Sequence, residues 1–144
     1  MADEDEYQDA FVQADDATLM SAIKQREAQC TPLMKPMGGD LLQALKISID
    51  DPPYLTRTEQ VKVAAAELVC RILTMVKDGD IDGTVGALSL DECDVLMKFI
   101  YRGLSIPKKE QSFYTSLLKW HPAVLKRAGE GSIMRVVSEV HRPL

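Results

Sequence analysis

The chain has 144 residues, 46% of them hydrophobic and 27% charged, with a net charge of −5. One globular domain with a sizeable core is the default at that length and balance. An isoelectric point near 5.0 argues against a nucleic-acid partner, because phosphate contacts need clustered Lys and Arg; no apolar run of about 18 residues marks a membrane span.

Residues 1–16 carry seven acids (Asp3, Glu4, Asp5, Glu6, Asp9, Asp15 and Asp16) and no Lys or Arg. Residues 17–144 therefore sum to +2. The acidity belongs to an arm and not to the body. Besides Met1, only Tyr7, Phe11 and Val12 give the arm bulky apolar groups. Ordering each backbone residue costs about 1–2 kcal/mol, whereas each buried anchor returns about 1.5–3 kcal/mol. Three anchors cannot order sixteen residues unaided. They can hold a short span, about Asp5 to Val12, once a docked body raises the local concentration to around millimolar. Fully extended, the arm reaches about 50 Å. The acidic start is also unlike a basic signal or transit peptide.

Residues 17–39 read as a linker with a short, weak helix. Leu19, Met20 and Ile23 fall on one side of 17–30 behind an Asp15-Asp16 cap, and Pro32, Pro36, Gly38 and Gly39 then break the pattern. From residue 40 to 144 the period is helical throughout. Asp40 precedes Leu41–Ile49, which ends at Asp51-Pro52-Pro53 because proline disfavours helix in the residue before it. Thr56 and Glu59 have capping-box spacing. The helix behind them runs to about Lys77, with Val61, Ala65, Leu68, Ile72, Met75 and Val76 on one face and Val69 and Leu73 extending it. So wide an apolar surface predicts the central core helix. Ser89 and Glu92 form a second capping box. Leu90, Val95, Leu96, Phe99 and Ile100 then point inward, and Gly103 is the expected C-cap. After Pro107, a segment with Phe113, Leu117, Leu118, Trp120, Val124, Leu125 and Ala128 ends at Gly129. Pro122 should kink or split it. A last short helix is expected from Ile133 to about Val140. The expected fold is all-α: a compact bundle or array of about six to seven helices, with an extended acidic N-terminal arm.

Few residues invite chemistry. Asp78-Gly79-Asp80-Ile81-Asp82-Gly83 matches the first half of a calcium loop. Its twelfth position is Ser89, where a bidentate Glu should close the shell. The simpler expectation is a solvated acidic turn capping the next helix, with a calcium-responsive helical binding module as the alternative function. His121 and His141 have no partner at metal-ligand spacing, and no nucleophile or phosphate-loop motif occurs. Neither a catalytic residue, a metal nor a cofactor is expected. Cys30, Cys70 and Cys93 lack C-x-x-C spacing, and Cys70 and Cys93 fall within helical patterns. Buried thiols in a reducing compartment, the cytosol, are expected. Tyr101 and Trp120 are candidate partner contacts, since aromatic residues often anchor interfaces.

Several blocks together carry a resemblance. They are Leu42-Gln43-Ala44-Leu45-Lys46, Asp51-Pro52-Pro53, Asp94-Val95-Leu96-Met97-Lys98-Phe99-Ile100-Tyr101-Arg102-Gly103, Leu117-Leu118-Lys119-Trp120-His121 and Gly131-Ser132-Ile133-Met134-Arg135-Val136-Val137. In that order the chain resembles the subunit 5 family of the actin-related protein 2/3 complex. The arm agrees, since Asp5-Glu6-Tyr7 followed by Phe11-Val12 looks like the family's acidic segment, whereas residues 17–39 depart from its Gly- and acid-rich linker. The resemblance implies a non-catalytic structural subunit of a seven-subunit assembly that nucleates branched actin filaments in the cytoplasm. It implies a body docked on subunit 4 and the β-propeller subunit 1, and an arm crossing to actin-related protein 2. Asp5, Glu6, Tyr7, Phe11 and Val12 would then form the tether, with Leu96, Tyr101 and Trp120 contributing to partner contacts of the body. Neither nucleic acid nor membrane enters this picture.

Overall fold

A computed structural model describes residues 17–35, 38–50, 58–129, 131, 133 and 134. Its elements are α1 (17–30), α2 (Leu41–Ile49), α3 (Glu59–Met75), α4 (Ile81–Gly86), α5 (Leu90–Leu104) and α6 (Gln111–Ala128), with single 3-10 turns at Thr31–Leu33 and Asp78–Asp80. Residues 131, 133 and 134 are again helical, and no strand occurs among the described residues. The helical period seen in the sequence thus carries through to the fold. The arm, Asp51-Pro52-Pro53 with Thr56, and the span from Arg135 onward lie outside the described residues.

α3 is the central helix. Val61, Ala65, Ala66, Leu68, Val69, Ile72 and Leu73 are all buried, and α3 packs against α2, α5 and α6. An apolar face this wide is covered only when several helices surround it. α5 and α6 make the broadest helix–helix contact, and α4 lies on α6.

Residues 17–30 are part of this packing. Ile23 and Cys30 sit in the core, and the Cys30 thiol donates to the Ala44 carbonyl at 3.4 Å. Arg71 of α3 pairs with Glu27 at 3.1 Å. Composition reads 31–39 as loose linker, but Thr31–Leu33 forms a 3-10 turn and Gly39 packs against it. The Asp40 N–H bonds the Leu33 carbonyl at 3.0 Å, and a Cβ on Gly39 would strike the backbone of Leu33 and Lys35.

Helix ends follow side-chain chemistry with instructive exceptions. The Asp40 carboxylate accepts from the Gln43 N–H at 3.1 Å, satisfying one orphan donor of α2. Ser89 and Glu92 form the full reciprocal capping box. α3, by contrast, starts at Glu59 behind Thr58, whose side chain makes no cap bond, and it stops at Met75 because Val76 is extended at ψ 133°. α5 runs one residue past Gly103 to a Ser105 cap. Gly103 is a buried packing position instead of a C-cap. α6 continues unbroken through Pro122. The carbonyl that proline leaves unbonded belongs to Leu118, and Leu118 and Pro122 are both exposed, so water can solvate that face. Leu90, expected inward, is 54% exposed, because as the first residue of α5 it precedes the packed turns.

Candidate docking surface

The acidic turn holds a structural contact. Asp78–Asp80 forms a 3-10 turn running directly into α4, and Lys119 of α6 pairs with Asp78 at 2.9 Å. The capping expected of these acids is absent, since Asp80 makes no side-chain cap bond. Ile81 and Val85 turn inward from α4 instead. A calcium loop needs its alternate oxygens wrapped around one point. Among the described residues no group of three His, Cys, Asp or Glu converges in that way.

Burial disfavours the thiolate form of all three cysteines. Burial pushes the Cys70 thiol from 9.0 up to about 12, with Glu67 adding to the shift and Lys109 opposing it. Burial also raises Cys30 and Cys93. Thiolate is the reactive form, so Cys70 in the native chain should resist iodoacetamide at pH 8 under conditions that label the urea-unfolded chain fully. A pH dependence follows. The unfolded thiol ionises near 9.0, whereas folded Cys70 keeps its proton to about 12. Its stabilisation is therefore complete below pH 9 and is lost as pH rises through that interval. Lys62 works in the opposite sense, because burial and then Arg102 lower its pKa from 10.5. Urea midpoints measured from pH 8 to 11 should fall if the three thiols dominate.

The three body residues expected at an interface separate. Leu96 is fully buried and Trp120 is 1% exposed, so neither presents a surface to a partner. Both were drawn to that role by their place in the signature blocks, and both are core instead. The Trp120 indole N–H donates to the Leu73 carbonyl at 3.1 Å, which satisfies its polar end within the chain. Tyr101 alone reaches the surface. Its hydroxyl meets His121 Nε2 at 2.9 Å, and the rings pack edge-on with centroids 5.5 Å apart. This contact closes the α5–α6 seam and gives His121 a structural task.

Leu118, three residues before His121 on α6, is 55% exposed. Pro122, one turn beyond Leu118, is exposed as well. Leu118, His121 and Pro122 thus form a strip beside Tyr101. Leu118 counts among the apolar residues of α6, with no face assigned to it by composition. A helical wheel places it about 130° from the centre of the Leu117, Trp120 and Val124 face, and that angle was the available signal. With Leu90 and with Met134 at 62%, Leu118 is one of three exposed large hydrophobic residues among the described residues. Among the described residues no helix is long and apolar enough to cross a membrane.

Packed helices, buried thiols and an exposed strip at the α5–α6 seam fit a subunit of a larger assembly, and the residues expected to form the tether, Asp5, Glu6, Tyr7, Phe11 and Val12, lie outside the described residues. The comparisons with known proteins agree. The ARP2/3 complex 16 kDa subunit (p16-Arc) family matches residues 1–142. Actin-related protein 2/3 complex subunit 5 of Dictyostelium discoideum is 37% identical over 124 residues, 86% of this chain and 86% of that one. Subunit 5A of Arabidopsis thaliana is 35% identical over 130 residues, 90% and 94% of the two chains. The subunit 5-like protein of Homo sapiens is 36% identical over 100 residues, 69% of this chain and 64% of that one. The chain belongs to the ARP2/3 complex 16 kDa subunit family, a family of non-catalytic structural subunits.

Proposed function

We propose that the chain serves the actin-nucleating complex as a two-point clamp. The helical body docks on subunit 4 and the β-propeller subunit 1, with the Tyr101, Leu118, His121 and Pro122 strip as part of the contact. The arm then crosses to actin-related protein 2 and ties it to the assembly through Tyr7, Phe11 and Val12, with Asp5 and Glu6 taking Lys or Arg partners. Work of this kind belongs in the cytoplasm, at the actin cytoskeleton. The observation that carries the reading is the separation of charge and apolar content between two parts of one chain. Seven acids with three spaced anchors precede a body of net +2. The family match spans both parts. Docking the body first confers the millimolar effective concentration that a three-anchor arm requires.

Deleting residues 1–12 should leave the body folded and incorporated, since the described helices build a core of their own. Branch nucleation by the reconstituted complex should then fall about tenfold or more, because the deletion removes all three anchors and a net loss of only about 1.4 kcal/mol, after the ordering cost is offset, is already a factor of ten. The assay is actin assembly kinetics with complexes of matched subunit content. An unchanged branching rate would remove the tether from the mechanism.

A further inference from the structure

A groove of about 720 Å³ opens where the 31–39 turn meets the start of α2, the end of α3 and the start of α4. Leu41, Leu42, Met75 and Val76 give it an apolar lining, and Lys35 and Lys77 stand with them. Both lysines are exposed, and neither belongs to an ion pair among the described residues, unlike Lys109 and Lys119. Asp80 also lines the groove, leaving one net positive charge. A second groove, between α2 and α5, has the opposite character. Asp50, Asp91 and Glu92 outnumber Lys46 there.

The chain itself contains an occupant of matching chemistry. Asp3, Glu4, Asp5 and Glu6 lead into Tyr7, which pairs a run of carboxylates with one aromatic anchor. Reach selects the same segment. α1 spans about 21 Å, and the groove begins just beyond its C-terminal end, at Lys35. Phe11 lies six residues before Ala17 and extends about 20 Å at most. Tyr7 lies ten residues before it and extends about 35 Å, enough to travel the length of α1 and enter the groove.

We propose that in the unassembled chain Asp3–Tyr7 folds back into this groove. The Tyr7 ring lies against Leu41, Leu42 and Met75, and the carboxylates meet Lys35 and Lys77. Because Tyr7 cannot occupy the groove and a partner at once, the arm is parked on its own body until the assembly competes for it. The contact is a property of the isolated chain. Its failure would leave the tether reading standing, and failure of the tether would leave this contact standing.

Zero-length carbodiimide coupling of the dilute, full-length chain, followed by peptide mapping, tests it. The reagent joins a carboxylate to an ammonium in contact with it. Isopeptide bonds from Asp3–Glu6 should form with Lys35 and Lys77 about tenfold more than with exposed Lys108 or Lys126, because a tether alone brings the carboxylates near every lysine of the chain and only contact selects among them. Tyr7→Ala, which alters only the arm, should abolish the preference. Equal coupling to all exposed lysines would overturn the proposal, as would bonds found only between two chains and rising with protein concentration.

Discussion

Trp120→Ala is expected to lower the unfolding free energy by about 3–5 kcal/mol, the range for emptying a buried aromatic site. That is a third or more of the stability of an ordinary domain, about 5–15 kcal/mol. Two losses combine. The indole is 1% exposed within the core, so its removal leaves a cavity that helices on several sides cannot close. Its N–H also donates to the Leu73 carbonyl. Leu73 lies in the last turn of α3, which ends at Met75. Its carbonyl is one of the four at a helix end that find no N–H in the helix. Trp120 supplies that missing donor from α6. Trp120→Phe separates the two effects, keeping most of the apolar volume while leaving the carbonyl buried without a partner, at about 1–3 kcal/mol. Urea unfolding of both variants gives the comparison. If Phe were as stable as Trp, the hydrogen bond would have no energetic role. If Ala cost less than about 1 kcal/mol, Trp120 would not be core.

Gly103→Ala should also destabilise, by about 1–3 kcal/mol, the range for overpacking a full core. A glycine inside a helix ordinarily predicts the reverse sign, since alanine is favoured there by about 0.5–1 kcal/mol. Space decides the outcome here. A Cβ on Gly103 would lie 2.5 Å from Cys70 Sγ and 2.8 Å from Leu117 Cδ1. Both neighbours are fully buried, so neither can swing away into solvent. Gly103 is thus a point of close approach between α5 and both α3 and α6. Cys70→Ala in the same chain should recover part of the loss, with a coupling of about 1 kcal/mol across the double-mutant cycle. Gly83 of α4 is the internal control. Nothing stands within 4 Å of its Cβ position, so Gly83→Ala should be neutral or stabilising by up to about 1 kcal/mol. Thermal unfolding of the four variants checks the whole set, and a stabilising Gly103→Ala would refute the close approach.

Much of the fold was legible in local chemistry. Asp40 and Ser89 cap helices as their side chains dictate, because a cap involves only the first turn and its own residues. The α3 face from Val61 to Leu73 was legible because a 3.6-residue period needs no knowledge of the partner. The family, and with it the non-catalytic character, was legible in the order of the signature blocks. The errors lie where the outcome depends on what is packed nearby. Gly103 looked like a C-cap because glycine serves both as a helix stop and as a gap between helices, and only the positions of Cys70 and Leu117 separate the two. Pro122 looked like a break, yet the hydrogen bond it removes falls on an exposed side of α6. Asp78 looked like a metal ligand or a cap until Lys119 was seen to hold it.

The docking surface divides in the same way. Sequence alone located the signature blocks and the family, since these reside in residue identity and order. It could not tell which signature residues face outward. Leu96, Tyr101 and Trp120 sit in equally specific blocks, but two are core and one is surface. Tertiary structure settled that point, and it also joined Tyr101 to His121 and left Leu118 open beside them. The physical reason is that burial is a property of pairs of elements. A helix determines its own period and caps from within, but the side of it that is covered depends on the helices that arrive from elsewhere in the chain.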